Sequence, residues 1–113
     1  MSSPLRYHRG AERPALKLWL LDDDNTLIDF SSGYSFQFLI GVVGETAVLT
    51  KTTGITGAAG AGVAPTGTPN VTVTWAANDL DIVPGSYVWQ LKATTSSLDR
   101  LFSGVINVLN VLT

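Results

Sequence analysis

No cysteine occurs among the 113 residues. That excludes disulfides, thiolate zinc sites and cysteine nucleophiles, and it leaves the redox compartment unread. Histidine is almost as scarce. His8 stands alone, and one imidazole without thiolates or further histidines builds no typical zinc site. It reads instead as an exposed or capping residue of an N-terminal segment. Charge is sparse too: Asp, Glu, Lys and Arg make up 14% of the chain, with a net charge of -2. A nucleic-acid binder needs clustered lysine and arginine to neutralise phosphates. The one grouping here, Arg6, Arg9 and Arg13, reads as a solvated segment rather than a phosphate clamp. No apolar run reaches the ~18–20 residues that span a bilayer. The opening MSSPLRYHRG lacks the apolar stretch of a Sec-type signal. Helical periodicity is missing as well, apart from one short turn near residues 76–80. No serine stands in a Gly-x-Ser-x-Gly context, so the expectation is of no enzyme, with no catalytic, cofactor-binding or metal-binding residue.

What is present is strand. In residues 76–94, AANDLDIVPGSYVWQLKAT, a polar turn-forming run leads through Pro84-Gly85 into strict alternation. Tyr87, Trp89, Leu91 and Ala93 take one parity and Val88, Gln90, Lys92 and Thr94 the other, the period of a half-buried strand. Asp79, Asp81, Gly85 and Tyr87 form the structural turn before it. In sandwich folds a tyrosine at such a strand start bonds back to the chain just upstream. Further strands are expected over residues 15–21, 26–30, 34–43, 47–52, 71–75 and 101–112, separated by turns. Residues 15–21 and 26–30 form a hairpin around Asp22-Asp23-Asp24-Asn25. About seven strands is the arithmetic of an all-β sandwich, and 113 residues hold one core. The expected organisation is an N-terminal extension over residues 1–14 and a β-sandwich domain over residues 15–113. Residues 54–70, GITGAAGAGVAPTGTPN, carry no charge and little to bury. They are expected to be a flexible loop, either a contact arm that orders on a neighbour or an idle insertion.

The acidic residues suggest structure before chemistry. Asp22, Asp23, Asp24 and Asp29 lack the central glycine and the terminal glutamate of an EF-hand loop. A polar β-turn explains them better. Asp79 and Asp81 lie two apart with no opposing carboxylate, unlike the pair of a glycosidase. They read as caps of backbone N–H groups.

Candidate contacts come from the apolar residues. Trp75 and Trp89 share parity with aliphatic neighbours and belong to the core, whereas Trp19 alternates against Leu16, Leu18 and Leu20 and points outward. In the last strand both parities are apolar. Val105, Leu109 and Val111 lie on one and Ile106, Val108 and Leu112 on the other. Such a strand is either central to two layers or covered by another subunit. The second is preferred, because the strand runs on to the final residues without a polar tail. Trp19, Val105, Leu109, Val111 and Leu112 are therefore the expected interface residues.

Taken together, several short motifs carry a resemblance. They are His8-Arg9-Gly10-Ala11-Glu12, the aliphatic strand with its acidic turn over residues 18–25, Ile28-Asp29-Phe30-Ser31, Val73-Thr74-Trp75-Ala76, and Asp79-Leu80 followed by Pro84-Gly85-Ser86-Tyr87. This pattern resembles the small immunoglobulin-like β-sandwich domain of tailed-bacteriophage tail and baseplate proteins, in particular the N-terminal domain of the baseplate upper protein family. It covers most of residues 9–111, with a longer Gly/Ala-rich segment than the family pattern. The resemblance implies a non-enzymatic virion protein made in the host bacterial cytoplasm, a tail-tip or baseplate component present in multiple copies. Its partners would be other tail subunits rather than nucleic acid, membrane or a small-molecule substrate. A capsid decoration protein and a carbohydrate-binding β-sandwich module are the competing readings.

Overall fold

The computed structural model describes residues 5–64, 66–96 and 99–109. The regular structure among them is strand: β1 (Leu5–His8), β2 (Leu16–Leu18), β3 (Ser35–Gly41), β4 (Leu49–Lys51), β5 (Ile55–Gly57), β6 (Val71–Val73), β7 (Gly85–Thr94) and β8 (Asp99–Leu109). One sheet has the order β1-β8-β7-β3-β4 and the other β2-β6-β5. Pairing is antiparallel except between β1 and β8, which run parallel. The chain is an all-β, two-sheet sandwich.

Alternation decides which side chains enter the core. From the larger sheet come Tyr7, Phe38, Ile40, Trp89, Leu91, Ala93, Ile106 and Val108; from the smaller come Leu16, Leu18, Val71 and Val73. Each fully buried aliphatic or aromatic side chain contributes about 1.5–3 kcal/mol relative to its exposed state. Phe38 ties the sheets together, stacked 5.9 Å from Trp89 and edge-on 5.7 Å from Trp75. At the other end Phe30 meets Tyr34, Phe36 and Phe102 edge-on. Tyr7 donates its hydroxyl to the Pro14 carbonyl at 3.0 Å, and burial raises its pKa above the usual phenol value, partly offset by the Trp75 side chain.

Gly104 makes room for Trp89. A Cβ at residue 104 would lie 2.6 Å from the Trp89 indole nitrogen and 2.8 Å from Cε2. Gly104→Ala is therefore expected to push a buried ring off its stack on Phe38 and cost about 1–3 kcal/mol. Urea unfolding monitored by tryptophan emission checks this. An alanine variant as stable as the parent would show that the ring has slack.

Several expectations change. The first fourteen residues, read as an extension, contain β1. Leu5 and Tyr7 turn towards the core while Arg6 and His8 face out, and Tyr7 pairs with Val108. Residues 26–30 form no strand of their own; a single bridge joins Leu21 to Leu27, and Ile28 donates its N–H to the Leu20 carbonyl. Strand β5 adds to the expected set, so the described residues hold eight strands rather than about seven.

The segment read as a flexible loop, residues 54–70, is a hairpin. β5 pairs with β6, Ala58 donates to Asn70, and Ala61 and Thr68 exchange both backbone bonds at 2.9 and 2.7 Å. A backbone ladder needs no bulky side chain, so composition hid it. Gly57 is required there, since a Cβ would fall 2.2 Å from the Phe30 carbonyl. The expected helical turn near residue 78 is instead two successive β-turns, closed by Asp79 N–H to Ala76 and Asp81 N–H to Asn78. Asn78 takes φ 71° there, a conformation asparagine tolerates.

Asn70 joins the sheets' connections. It is fully buried. Its Oδ1 accepts the Leu20 N–H at 2.8 Å, and its Nδ2 donates to the carbonyls of Leu20 (2.8 Å) and Ile28 (2.9 Å). A second buried polar contact lies on β4, where the Lys51 ammonium meets Asp79 Oδ2 at 2.9 Å.

Candidate functional site

The outer face of the larger sheet collects what the core leaves over. β8 lies between β1 and β7, so only one of its faces can meet the core. Phe102, Gly104, Ile106 and Val108 turn inward. Leu101, Val105 and Leu109 turn outward and are 62%, 42% and 39% exposed. Register fixes their neighbours: Val105 stands beside Val88, Ser103 beside Gln90, and Gln90 beside Leu39. Asn107 stands between Ser86 and Arg6, and Leu109 beside His8. The result is an apolar seam, Val88 with Val105, bordered on the β1 side by exposed Arg6 and His8.

At the opposite border the β3–β4 turn folds over this face. Val42, Gly44 and Glu45 of the turn, with Leu39, Val88 and Gln90 beneath, enclose a concavity of about 340 Å³. The turn closes through the Glu45 N–H on the Val42 carbonyl at 3.0 Å, with Gly44 at φ 84°. Glu45 is exposed and has no salt-bridge partner among the described residues. The hollow thus has walls of mixed character, Leu39, Val42 and Val88 alongside Gln90 and turn backbone, with one carboxylate at its lip. It can receive the stem of a long side chain and hold a cationic head.

The expected interface residues divide. Val105 and Leu109 lie together on this outer face. Trp19 does not join them: it follows β2, in the other sheet, and is half-buried, with its indole N–H hidden and unpaired. Val111 and Leu112 lie outside the described residues. Arg6, Leu39, Glu45, Val88 and Leu101 complete the face and were not among the expected interface residues. Their periodicity was visible, but register, which brings them together, is a long-range property.

The turn residues are drawn into the chain's own bonds. Asp79 accepts the Ala76 N–H at 2.8 Å besides holding Lys51. Asp81 pairs with Arg9 at 2.9 Å. Tyr87, two residues beyond Gly85, donates its hydroxyl to the Val83 carbonyl. Asp22 accepts from the N–H groups of Asp24 (2.9 Å) and Thr26 (3.1 Å), closing the acidic turn, with Asn25 at φ 62°. Asp29 accepts from Ser31, and these bonds hold its carboxyl below the usual range. Among the described residues no three histidine, aspartate or glutamate side chains gather as a metal site. Trp75 and Trp89 are buried in the core.

Comparison with protein-family models, with curated proteins and with solved structures finds no match.

Proposed function

We propose that this chain is a non-enzymatic structural protein of a tailed-bacteriophage virion, a tail-tip or baseplate component with an immunoglobulin-like sandwich. It docks other subunits, in multiple copies, through the outer face of its five-stranded sheet. The observation that carries the reading is the exposure of Leu101, Val105 and Leu109 on a strand in the interior of that sheet. Val105 stands beside Val88 there and Leu101 beside the Lys92 stem, and apolar surface left in water on such a face is the usual mark of one that another protein covers. The backward hydroxyl bond from Tyr87 to Val83 supports the immunoglobulin-like part, since sandwich domains of that kind use such a bond at a strand start. A glycan platform would present exposed tryptophans. Trp75 and Trp89 are core and Trp19 is half-buried, which weighs against it.

Immunogold labelling of phage particles encoding this protein tests the location. Label at the tail tip supports the reading, label over the capsid makes it a decoration protein, and unlabelled particles overturn it. Removing the end of β8 is a poor test of docking, because Val108 is buried and pairs with Tyr7. Substitution is better. Val105→Glu is expected to leave the circular dichroism spectrum and melting temperature nearly unchanged, since exposed substitutions usually stay within about 0.5 kcal/mol. Incorporation into particles should fall at least tenfold. Normal incorporation would remove this face from the docking surface.

A further inference from the structure

The proposed docking face is complementary to itself. Its seam, Val88 beside Val105, runs between β7 and β8. Basic Arg6 and His8 border it on β1, and Glu45 borders it on the β3–β4 turn. These borders lie at the same end of the sheet. Arg6 is level with Asn107 and Ser86, one row beyond the row of Gly41, Val88 and Val105, and the turn follows Gly41 directly.

We infer that two copies of this chain pack these faces together about a two-fold axis along the β7–β8 seam, each seating Arg6 in the hollow beneath its partner's β3–β4 turn, beside Glu45. The geometry follows from strand order. Rotation about that seam lays β7 over β8 and β1 over β3, while each row keeps its level along the strands. Val88 then meets Val105 of the second copy, twice. The Lys92 stem covers the exposed Leu101, because these residues are also register partners. Arg6 falls opposite the turn carrying Glu45, again twice. Twisted sheets pack face to face in this aligned manner, about 10 Å apart. A contact repeated by a two-fold closes on itself and stops at a dimer. The hollow has the character an arginine needs, with Leu39 and Val88 against the stem and an unpaired carboxylate at the lip. Within one chain no salt bridge joins Arg6 to Glu45, and two strands, β8 and β7, separate β1 from β3, about 14 Å at the usual strand spacing.

This inference rests on the docking reading for its choice of face, and the two can fail separately. The test is sedimentation equilibrium of the parent chain, of Arg6→Glu, of Glu45→Arg, and of an equimolar mixture of the two variants. The parent is expected to dimerise. Each variant alone sets like charges against each other at both contacts, so its association should weaken roughly tenfold or more. The mixture restores both contacts in a heterodimer. On one side the two substituted residues face each other with their charges exchanged, and on the other the unchanged Arg6 meets the unchanged Glu45. Its association should return to within about threefold of the parent, and rise as salt is lowered. A parent that stays monomeric overturns the inference. So does a parent dimer indifferent to both substitutions, or a mixture that associates no better than its components. None of these results alters where the protein is found on a particle, and unlabelled particles leave the sedimentation result standing.

Discussion

Asn70→Ala is expected to destabilise the fold by about 3–5 kcal/mol, far more than a substitution at an exposed polar position. The side chain is fully buried and makes three hydrogen bonds to backbone groups of Leu20 and Ile28. The Leu20 N–H has no other acceptor among its described contacts, so alanine strands a buried donor, costing about 1–3 kcal/mol. The Ile28 carbonyl loses its partner as well. Asn70 also carries the hairpin through its backbone: its N–H bonds to Leu18 and its carbonyl accepts from Ala58. Loosening the side chain therefore loosens the junction of β2, the Leu27–Phe30 segment and the 58–70 hairpin together. Asn70→Asp sharpens the test. It keeps the shape and can still accept from Leu20, but it places a carboxylate oxygen against two carbonyl oxygens. It should be at least as damaging as alanine. For a domain of this size the loss corresponds to a fall in melting temperature of roughly 12 °C or more. Urea and thermal unfolding of both variants, with exposed Thr68→Ala as control, give the answer. An aspartate variant within about 1 kcal/mol of the parent would show that the donated bonds contribute little.

Asp79→Asn is the second large effect, expected at about 3 kcal/mol. Lys51 points inward from β4 with its side chain 5% exposed, and the Asp79 carboxylate is its counter-ion at 2.9 Å. Asparagine can still accept the Ala76 N–H that Asp79 binds, so the substitution isolates the charge. What remains is a buried ammonium facing an amide oxygen in place of its counter-ion, and removing one charge of a buried pair costs far more than the pair itself contributes. The double variant Lys51→Met with Asp79→Asn should be more stable than Asp79→Asn alone. Methionine fills the same channel without a charge. Chemical denaturation of the two single variants and the double variant completes a thermodynamic cycle. Simple additivity would mean that the two charges act independently.

How far the sequence discloses this molecule differs from one element to the next. The parity of Tyr87, Trp89, Leu91 and Ala93, and of Leu16, Leu18 and Leu20, identifies core faces directly, because one period suffices and no partner need be known. Tyr87 is legible for the same reason: its acceptor is four residues away. β1 is not legible. Four residues flanked by polar ones carry a weak pattern, and the partner strand lies about a hundred positions along the chain. The 54–70 hairpin is hidden by its composition, since glycine and alanine contribute backbone bonds and almost no hydrophobic signal. The outer face falls between these cases. Val105 and Leu109 are visible as surplus apolar residues on β8, but their assembly with Val88, Arg6 and Glu45 depends on register across strands distant in sequence. Trp19 shows the limit of parity. Alternation places it away from Leu16 and Leu18, as found, yet parity cannot say which sheet it belongs to or that its ring is half covered.

Strand β4 has a consequence for behaviour at high concentration. It is a border of the larger sheet, only three residues long, and one of those residues is the inward-turned Lys51. A border strand of unpaired backbone groups normally invites a neighbour's strand to continue the ladder, the first step towards amyloid. Here an incoming strand would have to match a short segment whose core side is filled by an ion pair. An inward-pointing charge on a short border strand is a feature that discourages growth of cross-β fibres from it. Lys51→Met therefore bears on solubility over long storage as well as on folding: once the charge no longer guards the border, crowded copies gain a route to irreversible polymer that the parent lacks.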